Sequence, residues 1–277
     1  NIPCDYIFTH AESDKFFNKI NVPFNHKEFY STLPEYEKFY DNLEYVVLRT
    51  SWGCPFSCSY CAIKSLSDKI ITVDTDLILN YIIYYNKLGI KNFVFYDDAL
   101  LYQSEIFKNF LQQIIRLKLN INFHTPNAMH IKYLDMEMAH LMKLSGFINP
   151  RFGLETLEEP LQKLWSNKLN NEILNRGIEC LKQSGYGKGE FSFYMLFGYP
   201  GQNIERLFLD IEYLNSLGAR VLLSEYSHVP KTKLFASANK IYDEPLFHNN
   251  SIFSSFEPEK IKYLWSVKNK ITKLQLI

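Results

Sequence analysis

From Tyr45 onward, short apolar runs alternate with longer stretches in which apolar residues recur at helical spacing. The short runs are rich in β-branched and aromatic residues, which is typical of strands. The longer stretches carry apolar residues every three or four positions, and most end on glycine, which predicts amphipathic helices. Strands are predicted over residues 45–50, 92–96, 121–125, 150–155, 190–196 and 220–224, and helices over 75–89, 104–119, 134–145, 171–184, 203–217 and 257–274.

This alternation predicts an α/β fold with a parallel sheet. Six strand–helix units are two short of a full eight-fold barrel, so we expect a partial (β/α)6 barrel or a doubly wound sheet. In either fold, ligands bind at the carboxyl ends of the strands. Because the regular pattern is confined to residues 45–226, we expect a core there, with a linker over 1–44 and a C-terminal extension over 227–277.

Composition narrows the class of protein. The 277 residues are 47% apolar and 22% charged, as in an ordinary globular protein, and no apolar run reaches the length of a membrane span. Thirty basic residues balance thirty acidic ones, which argues against a nucleic-acid partner. The chain begins at Asn1 without a secretory signal and has five cysteines, an odd number. We therefore interpret it as a fragment from a reducing, cytoplasmic setting.

Three cysteines follow the first predicted strand with the spacing C-x3-C-x2-C: Cys54, Cys58 and Cys61. Three thiolates on one loop can hold three corners of a cubane iron–sulfur cluster, whose full ligation takes four cysteines. The open iron parallels the vacant position of catalytic metal sites. Zinc and free buried cysteines are alternatives, although a structural zinc would need a fourth ligand nearer than His124 or Cys180.

Tyr60, directly before the third cysteine, completes a C-x3-C-x-aromatic-C pattern that resembles the signature of the radical S-adenosylmethionine (radical SAM) superfamily. The resemblance implies a [4Fe–4S] cluster whose open iron binds the amino and carboxylate groups of S-adenosylmethionine (SAM). It also implies cleavage of SAM by one electron into methionine and a 5′-deoxyadenosyl radical that removes hydrogen from a substrate. In such an enzyme the cofactor carries the radical chemistry and the protein positions it.

The resemblance also implies roles for residues at other strand ends. Asp97 and Asp98 would lie near the methionine amino group, and solvated turn carboxylates are the alternative. Glu155 would accept hydrogen bonds from the ribose, and a helix-start residue is the alternative. The segment LFGYPGQNIE resembles the family's loop after the fifth strand and would approach the adenosine through Gly198, Pro200 and Gly201. A plain turn is the alternative for this segment. Val229 would offer backbone contacts to adenine.

The segment HTPNAMH follows the third predicted strand and brings His124, Asn127 and His130 to the expected ligand end. These side chains are candidates for substrate contact or proton transfer, and satisfied structural histidines are the alternative. Cys4 and Cys180 are interpreted as small buried hydrophobes.

Within the family, the stretch RTSWGCPFSCSYCA resembles the enzymes that carry a cobalamin-binding domain before the radical core. The segments Cys4–Asn21 and Asp243–Phe253 resemble that group as well, and the first would be a remnant of the cobalamin domain. Two features depart from it: Lys231 stands where the group often has the glycine of Pro-Gly-Thr, and a D-x-H-x-x-G stretch is absent from the sequence. Cobalamin would then be held by a domain outside this chain, or the resemblance reflects common descent without the cofactor.

The sequence thus favours an enzyme that uses SAM and a [4Fe–4S] cluster on a small-molecule or metabolite substrate, with cobalamin-dependent methyl transfer as one reaction. We expect an electron donor such as flavodoxin or ferredoxin as its partner, and we expect no membrane partner. A tRNA-modifying, methylthiotransferase-like enzyme is an alternative, which the neutral charge disfavours. A non-catalytic iron–sulfur or zinc module is another.

Overall fold

The computed structural model describes residues 12–67, 69–166, 168–234 and 256–274, together with Tyr6 and Ser251. Its strands are β1 Tyr45–Leu48, β2 Ser51–Trp52, β3 Ile71–Thr72, β4 Asn92–Phe95, β5 Asn122–His124, β6 Arg151–Glu155, β7 Ser192–Phe197 and β8 Arg220–Glu225. Its helices are α1 Ser13–Lys19, α2 His26–Ser31, α3 Ile63–Leu66, α4 Thr75–Lys87, α5 Ser104–Leu117, α6 Met136–Ser145, α7 Glu159–Trp165, α8 Asn171–Gln183, α9 Ile204–Ser216 and α10 Pro258–Leu274. Single 3-10 turns span Tyr36–Lys38 and Ile131–Tyr133.

Six strands are parallel and form two three-stranded sheets, ordered β1-β4-β5 and β6-β7-β8. Two parallel bridges, Phe123 with Phe147 and Met129 with Phe152, continue the pairing from β5 to β6. Each of these strands therefore lies beside the next one along the chain. A doubly wound sheet would reverse its strand order at a switch point, so that alternative is wrong and the partial (β/α)6 barrel is confirmed.

The predicted strands and helices are present, with shifts of up to two residues at their ends. The periodicity did not predict the strands β2 and β3 or the short helices α1, α2, α3 and α7. Strands β2 and β3 form an antiparallel pair of two residues each, too short for any hydrophobic period to reveal. Helix α7 is two turns long with proline in its first turn, so its apolar residues do not establish a helical pattern.

One face of the parallel strands packs against the helices and forms the core. The aromatic side chains on this face, Phe93, Phe95, Phe123, Phe152 and Phe193, are at most 1% exposed. The rings of Phe95 and Phe123 are tilted against each other with centroids 5.1 Å apart, and both contact Phe147 beside α6. Much of the chain's aromatic content thus supplies the large buried area of a core.

The opposite face of the same strands is polar and half-buried, because neighbouring residues of a strand point to opposite sides. It carries Asn92, Asn122, His124, Arg151 and Tyr194. We call this set the concave face, since it lies on the side of the partial barrel that the helices leave uncovered. A substrate inside the barrel would meet these side chains.

Helix α10 closes the described part of the chain and packs Leu264, Val267 and Ile271 into the core. Lys268 on this helix forms an ion pair with Glu225 at the end of β8. None of the described helices has the length and hydrophobicity that a bilayer crossing requires. Cys4, the start of the segment Cys4–Asn21 and most of Asp243–Phe253 lie outside the described residues.

Candidate active site

The cysteine loop, residues 53–62, joins β2 to α3 at the carboxyl end of β1. Cys54 is buried, Cys58 is half-buried and Cys61 is exposed. Cys180, the other cysteine in the described part of the chain, is buried within α8 as part of the hydrophobic core. The three cysteines of the motif therefore share one loop at the end of the barrel where parallel α/β folds bind ligands.

Backbone hydrogen bonds hold the cysteine loop from two sides. The Ser59 N–H donates to the Trp165 carbonyl at 2.7 Å, and the Leu234 N–H donates to the Ser59 carbonyl at 2.9 Å. Gly53 begins the loop with a φ of +84°, and a Cβ there would lie 2.3 Å from the Lys69 carbonyl oxygen. Only glycine fits this position, because both the left-handed backbone and the close approach exclude a side chain.

Asp97, which follows β4, is 2% exposed and accepts hydrogen bonds from Thr50 and Ser51. The donors include both backbone N–H groups and both hydroxyls, at 2.6 to 3.1 Å. Burial raises the pKa of Asp97, and these donors oppose that shift. The alternative of a solvated turn carboxylate is wrong for Asp97. Its carboxylate fixes the chain where β1 runs into β2.

Asp98 fixes the next part of the same loop. Its carboxylate accepts from Arg49 Nη2 at 2.6 Å and from the Gly53 N–H at 2.8 Å. The Arg49 guanidinium stacks on the Trp52 ring, 3.8 Å from its centroid. Asp98 is also shielded, with its side chain 12% exposed, so the solvated alternative is wrong here too. These contacts set the direction from which the cysteine loop leaves the sheet.

Lys168, between α7 and α8, is the buried cation of the site. Its side chain is 6% exposed, and Nζ lies 3.0 Å from both Glu155 Oε1 and Tyr60 Oη. Burial lowers the pKa of Lys168, but the charge and hydrogen bond of Glu155 act in the opposite direction, and the net shift is upward. Sequence reasoning missed this residue, because an isolated lysine in the polar stretch between two helices carries no motif.

Glu155 ends β6 at a register shift, with a φ of +70°. Gly153 makes room for it, since a Cβ there would lie 3.0 Å from Glu155 Oε1 and 3.5 Å from Lys168 Nζ. The alternative of a helix-start residue is wrong, because α7 begins four positions later at Glu159. Glu155, Lys168 and Tyr60 thus connect the second sheet to the cysteine loop.

Burial raises the pKa of the Cys54 thiol to about 11 and also raises that of Cys58, while the Lys168 charge acts in the opposite direction on both. Without iron these thiols are therefore protonated at neutral pH. Iron ligation requires thiolates and releases the protons.

The two candidate histidines lie in different places. His130 Nε2 is 3.4 Å from Cys54 Sγ, and its ring meets the Phe56 edge at 4.8 Å between centroids. Burial, assisted by the Lys168 charge, lowers the pKa of His130 to about 3, so the ring is neutral. His124 lies on the concave face, with Nε2 3.1 Å from Asn92 Oδ1. Asn127 donates to the Asp97 carbonyl at 2.6 Å and so supports the β4 end.

The turns after β7 and β8 provide backbone at the same end of the barrel. Gly198 has a φ of +80°, and its N–H donates to the Gln202 side chain at 2.6 Å. Pro200 and Gly201 are exposed at the tip of this turn. The Val229 carbonyl accepts from the Thr232 hydroxyl at 2.7 Å.

The residues present fit a [4Fe–4S] cluster held by three cysteines. The donor set is three thiols on one anchored loop, and a buried lysine next to Tyr60 offsets thiolate charge. In the described residues, no three or more His, Cys, Asp and Glu side chains are grouped around a single-ion position. A cubane does not require such a point, because each cysteine ligates a different iron.

The sequence profile of the radical SAM superfamily matches residues 48–214, and the chain belongs to this superfamily. The match includes the cysteine loop and runs through α9. It confirms the resemblance found in the sequence and identifies the chain as an enzyme of this class, with SAM and a [4Fe–4S] cluster as its cofactors. No curated protein sequence matches the chain.

Solved structures share the fold at low sequence identity. The radical SAM methyltransferase TsrM from Kitasatospora setae, bound to tryptophan and a SAM analogue, has a TM-score of 0.58 and 18% identity over 69% of this chain. Methylornithine synthase (PylB) has a TM-score of 0.52 and 15% identity over 95% of this chain and 75% of its own. HydG from Carboxydothermus hydrogenoformans, a hydrogenase maturase, has a TM-score of 0.52 and 15% identity over 82% of this chain and 52% of its own. This chain spans 38% of TsrM.

Proposed function

We propose that this protein cleaves SAM reductively and uses the resulting radical to remove hydrogen from a small-molecule substrate. The observation that carries the proposal is the anchored cysteine loop at the carboxyl end of β1, inside the region that matches the superfamily. When bound, the [4Fe–4S] cluster and SAM supply the reducing electron path and the 5′-deoxyadenosyl radical. The protein's own residues position these groups and exclude water.

Cys54, Cys58 and Cys61 would ligate the cluster and leave one iron for SAM. Lys168 would balance thiolate charge and orient Glu155, which would accept hydrogen bonds from the ribose hydroxyls. The backbone at Gly198, Pro200, Gly201 and Val229 would contact the adenosine, where glycine permits a close approach. That final set of contacts rests on the resemblance and on the placement of these turns at the ligand end.

The remaining candidates divide into positioning and substrate roles. Asp97 and Asp98 would act through the cysteine loop, since their carboxylate oxygens already accept from Thr50, Ser51, Gly53 and Arg49. His130 would pack against Cys54 as a neutral ring. His124 lies on the concave face and would contact substrate.

Cobalamin-dependent methyl transfer is the finer reaction that we propose. It rests on the sequence resemblance of the cysteine loop to the cobalamin group; the fold match to TsrM adds no information on the reaction at 18% identity. In this proposal, residues 1–44 link a cobalamin domain to a core over 45–226, and residues 227–277 form an extension. Lys231 has a φ of +65°, so the turn retains the left-handed backbone that a glycine in Pro-Gly-Thr would adopt. A flavodoxin or ferredoxin in the cytoplasm would supply the electron.

The test is anaerobic reconstitution of the chain with iron and sulfide, followed by electron paramagnetic resonance and assay of 5′-deoxyadenosine after reduction with SAM. We expect a reducible cluster whose spectrum changes when SAM is added. Cys54→Ala should abolish the cluster signal and SAM cleavage together, whereas Cys180→Ala, remote in α8, should retain both. A cluster unaffected by Cys54→Ala, or by SAM, would contradict the proposal.

The tRNA-modifying alternative makes a different prediction. Binding to tRNA would be tight and would weaken steeply as salt is added, because phosphate contacts release counterions. The balanced charge of the chain leads us to expect no such binding. A filter-binding titration with unmodified tRNA at two salt concentrations distinguishes the two.

A further inference from the structure

Arg151 is a half-buried cation without a carboxylate partner among the residues that the structure describes. It begins β6 and lies on the concave face. Two other shielded cations of the site are paired: Arg49 with Asp98 and Lys168 with Glu155. The guanidinium of Arg151 is therefore partly shielded from water, and a carboxylate from a ligand could pair with it.

The surroundings of Arg151 hold its guanidinium in one orientation. Nη1 donates to Tyr194 Oη at 3.0 Å, and Tyr194 Oη donates in turn to the Pro126 carbonyl at 3.0 Å. The Arg151 N–H donates to Thr125 Oγ1 at 3.1 Å, which ties the backbone to the end of β5. In the described structure, the remaining guanidinium N–H groups have no acceptor and are available to a ligand.

The neighbouring side chains on the concave face are neutral. Asn92 Oδ1 receives hydrogen bonds from Asn122 Nδ2 at 3.2 Å and from His124 Nε2 at 3.1 Å. This arrangement assigns the proton of His124 to Nε2 and leaves Nδ1 as an acceptor. Burial and the Arg151 charge both lower the pKa of His124, which therefore stays neutral beside the cation.

We propose that Arg151 binds a carboxylate group of the substrate, with Tyr194 orienting the guanidinium and His124 beside it. This inference rests on the proposed function in placing substrate on the concave face. A planar guanidinium matches a carboxylate in geometry and in its single charge. A phosphate dianion would leave surplus negative charge beside Arg151, whose neighbours Asn92, Asn122 and His124 are neutral.

The imidazole of His124 provides a readout that needs neither iron nor SAM. A carboxylate on Arg151 would offset the positive charge and raise the pKa of His124, by about half a unit. We would label the histidines of the 277-residue chain, assign His124 with His124→Gln, and titrate the ring by NMR. Sodium acetate is the probe, with acetamide as its neutral counterpart and ionic strength held constant with chloride.

We expect acetate, but not acetamide, to raise the pKa of His124 in the wild-type chain. Arg151→Gln should raise that pKa without any ligand and remove the response to acetate. Arg151→Lys should retain part of the response. Arg176→Gln, the same charge change at an exposed position of α8, should behave as wild type.

An acetate response that persists in Arg151→Gln, or that is absent from the wild type, would overturn the proposal. A larger shift with inorganic phosphate than with acetate would overturn the choice of a carboxylate. If Arg151→Gln fails to fold, Arg151→Lys and Tyr194→Phe carry the test, since a weaker response is expected in both. If acetate raises the pKa of His124 but the chain does not cleave SAM, the proposed function is wrong and the anion site at Arg151 is retained.

Discussion

The two sheets of the barrel differ in the charge that they bury most deeply in the site: Asp97 beside the first sheet and Lys168 beside the second. The first sheet, β1-β4-β5, provides the carboxylates Asp97 and Asp98, whose oxygens accept from the loop that follows β1. The second sheet and the helices that follow it provide the cations Lys168 and Arg151. Lys168 reaches the cysteine loop through Tyr60, and Arg151 lies open on the concave face.

The first sheet thus supports the cysteine loop, whereas the second sheet offers cations to ligands. The carboxylates of the first sheet are saturated by donors of the chain itself, so they stabilise the loop that carries the cysteines. The cations of the second sheet are only partly neutralised, and the groups that would complete them are anionic: thiolates for Lys168 and a carboxylate for Arg151. Each sheet also provides a partner of opposite charge, since Arg49 pairs with Asp98 and Glu155 pairs with Lys168.

Replacing Lys168 should cost the most stability, because Lys168→Met leaves the Glu155 charge without its partner at a position that is 14% exposed. We expect a loss of unfolding free energy of about 3 kcal/mol in the apo chain, measured by urea denaturation. Adding Glu155→Gln should recover part of it, because the buried charge is then removed. Equal destabilisation by the single and double variants would show that Lys168 acts by packing alone.

The first sheet is tested by Asp97→Asn. The amide keeps the size of the side chain, but its NH2 group would face N–H and O–H donors in a site that is 2% exposed. We expect a loss of about 2 to 3 kcal/mol in unfolding free energy. Asp41→Asn, the same change at an exposed position, is the matched control and should be near neutral.

Two glycines with a left-handed backbone allow the cysteine loop to be compared with the turn after β7. Gly53 has φ +84° and faces the Lys69 carbonyl, whereas Gly201 has φ +78° and no atom within 4 Å of a Cβ position. We expect Gly201→Ala to cost about 1 kcal/mol, the conformational term alone. Gly53→Ala should cost more than about 2 kcal/mol and should also impair cluster assembly, because the loop must move. Similar costs at both positions would contradict a tightly packed cysteine loop.

The smallest expected effect is at the turn after β8. Lys231 has φ +65°, a backbone that glycine adopts without strain. Lys231→Gly should therefore raise the free energy of unfolding by about 0.5 to 1 kcal/mol, after the greater entropy loss of glycine is subtracted. Thermal unfolding monitored by circular dichroism provides the measurement. A clear destabilisation would mean that the lysine side chain itself holds the turn.

Much of the fold followed from periodicity. The six parallel strands and their helices were predicted because each is long enough to show an apolar repeat. The β2–β3 pair and α7 were not, since their residues are too few to establish a period. The choice between a partial barrel and a doubly wound sheet also needed strand order, which local patterns do not encode.

The sequence alone determined the fold class and the three cysteines, because local spacing on one loop is enough to define a cluster motif. Tertiary structure decided what surrounds them. Lys168 meets Tyr60, which is 108 residues away along the chain, and Arg151 meets Tyr194, 43 residues away. Such pairs arise only when strands and helices close into a barrel, since the burial that makes their charges significant exists only in the folded chain.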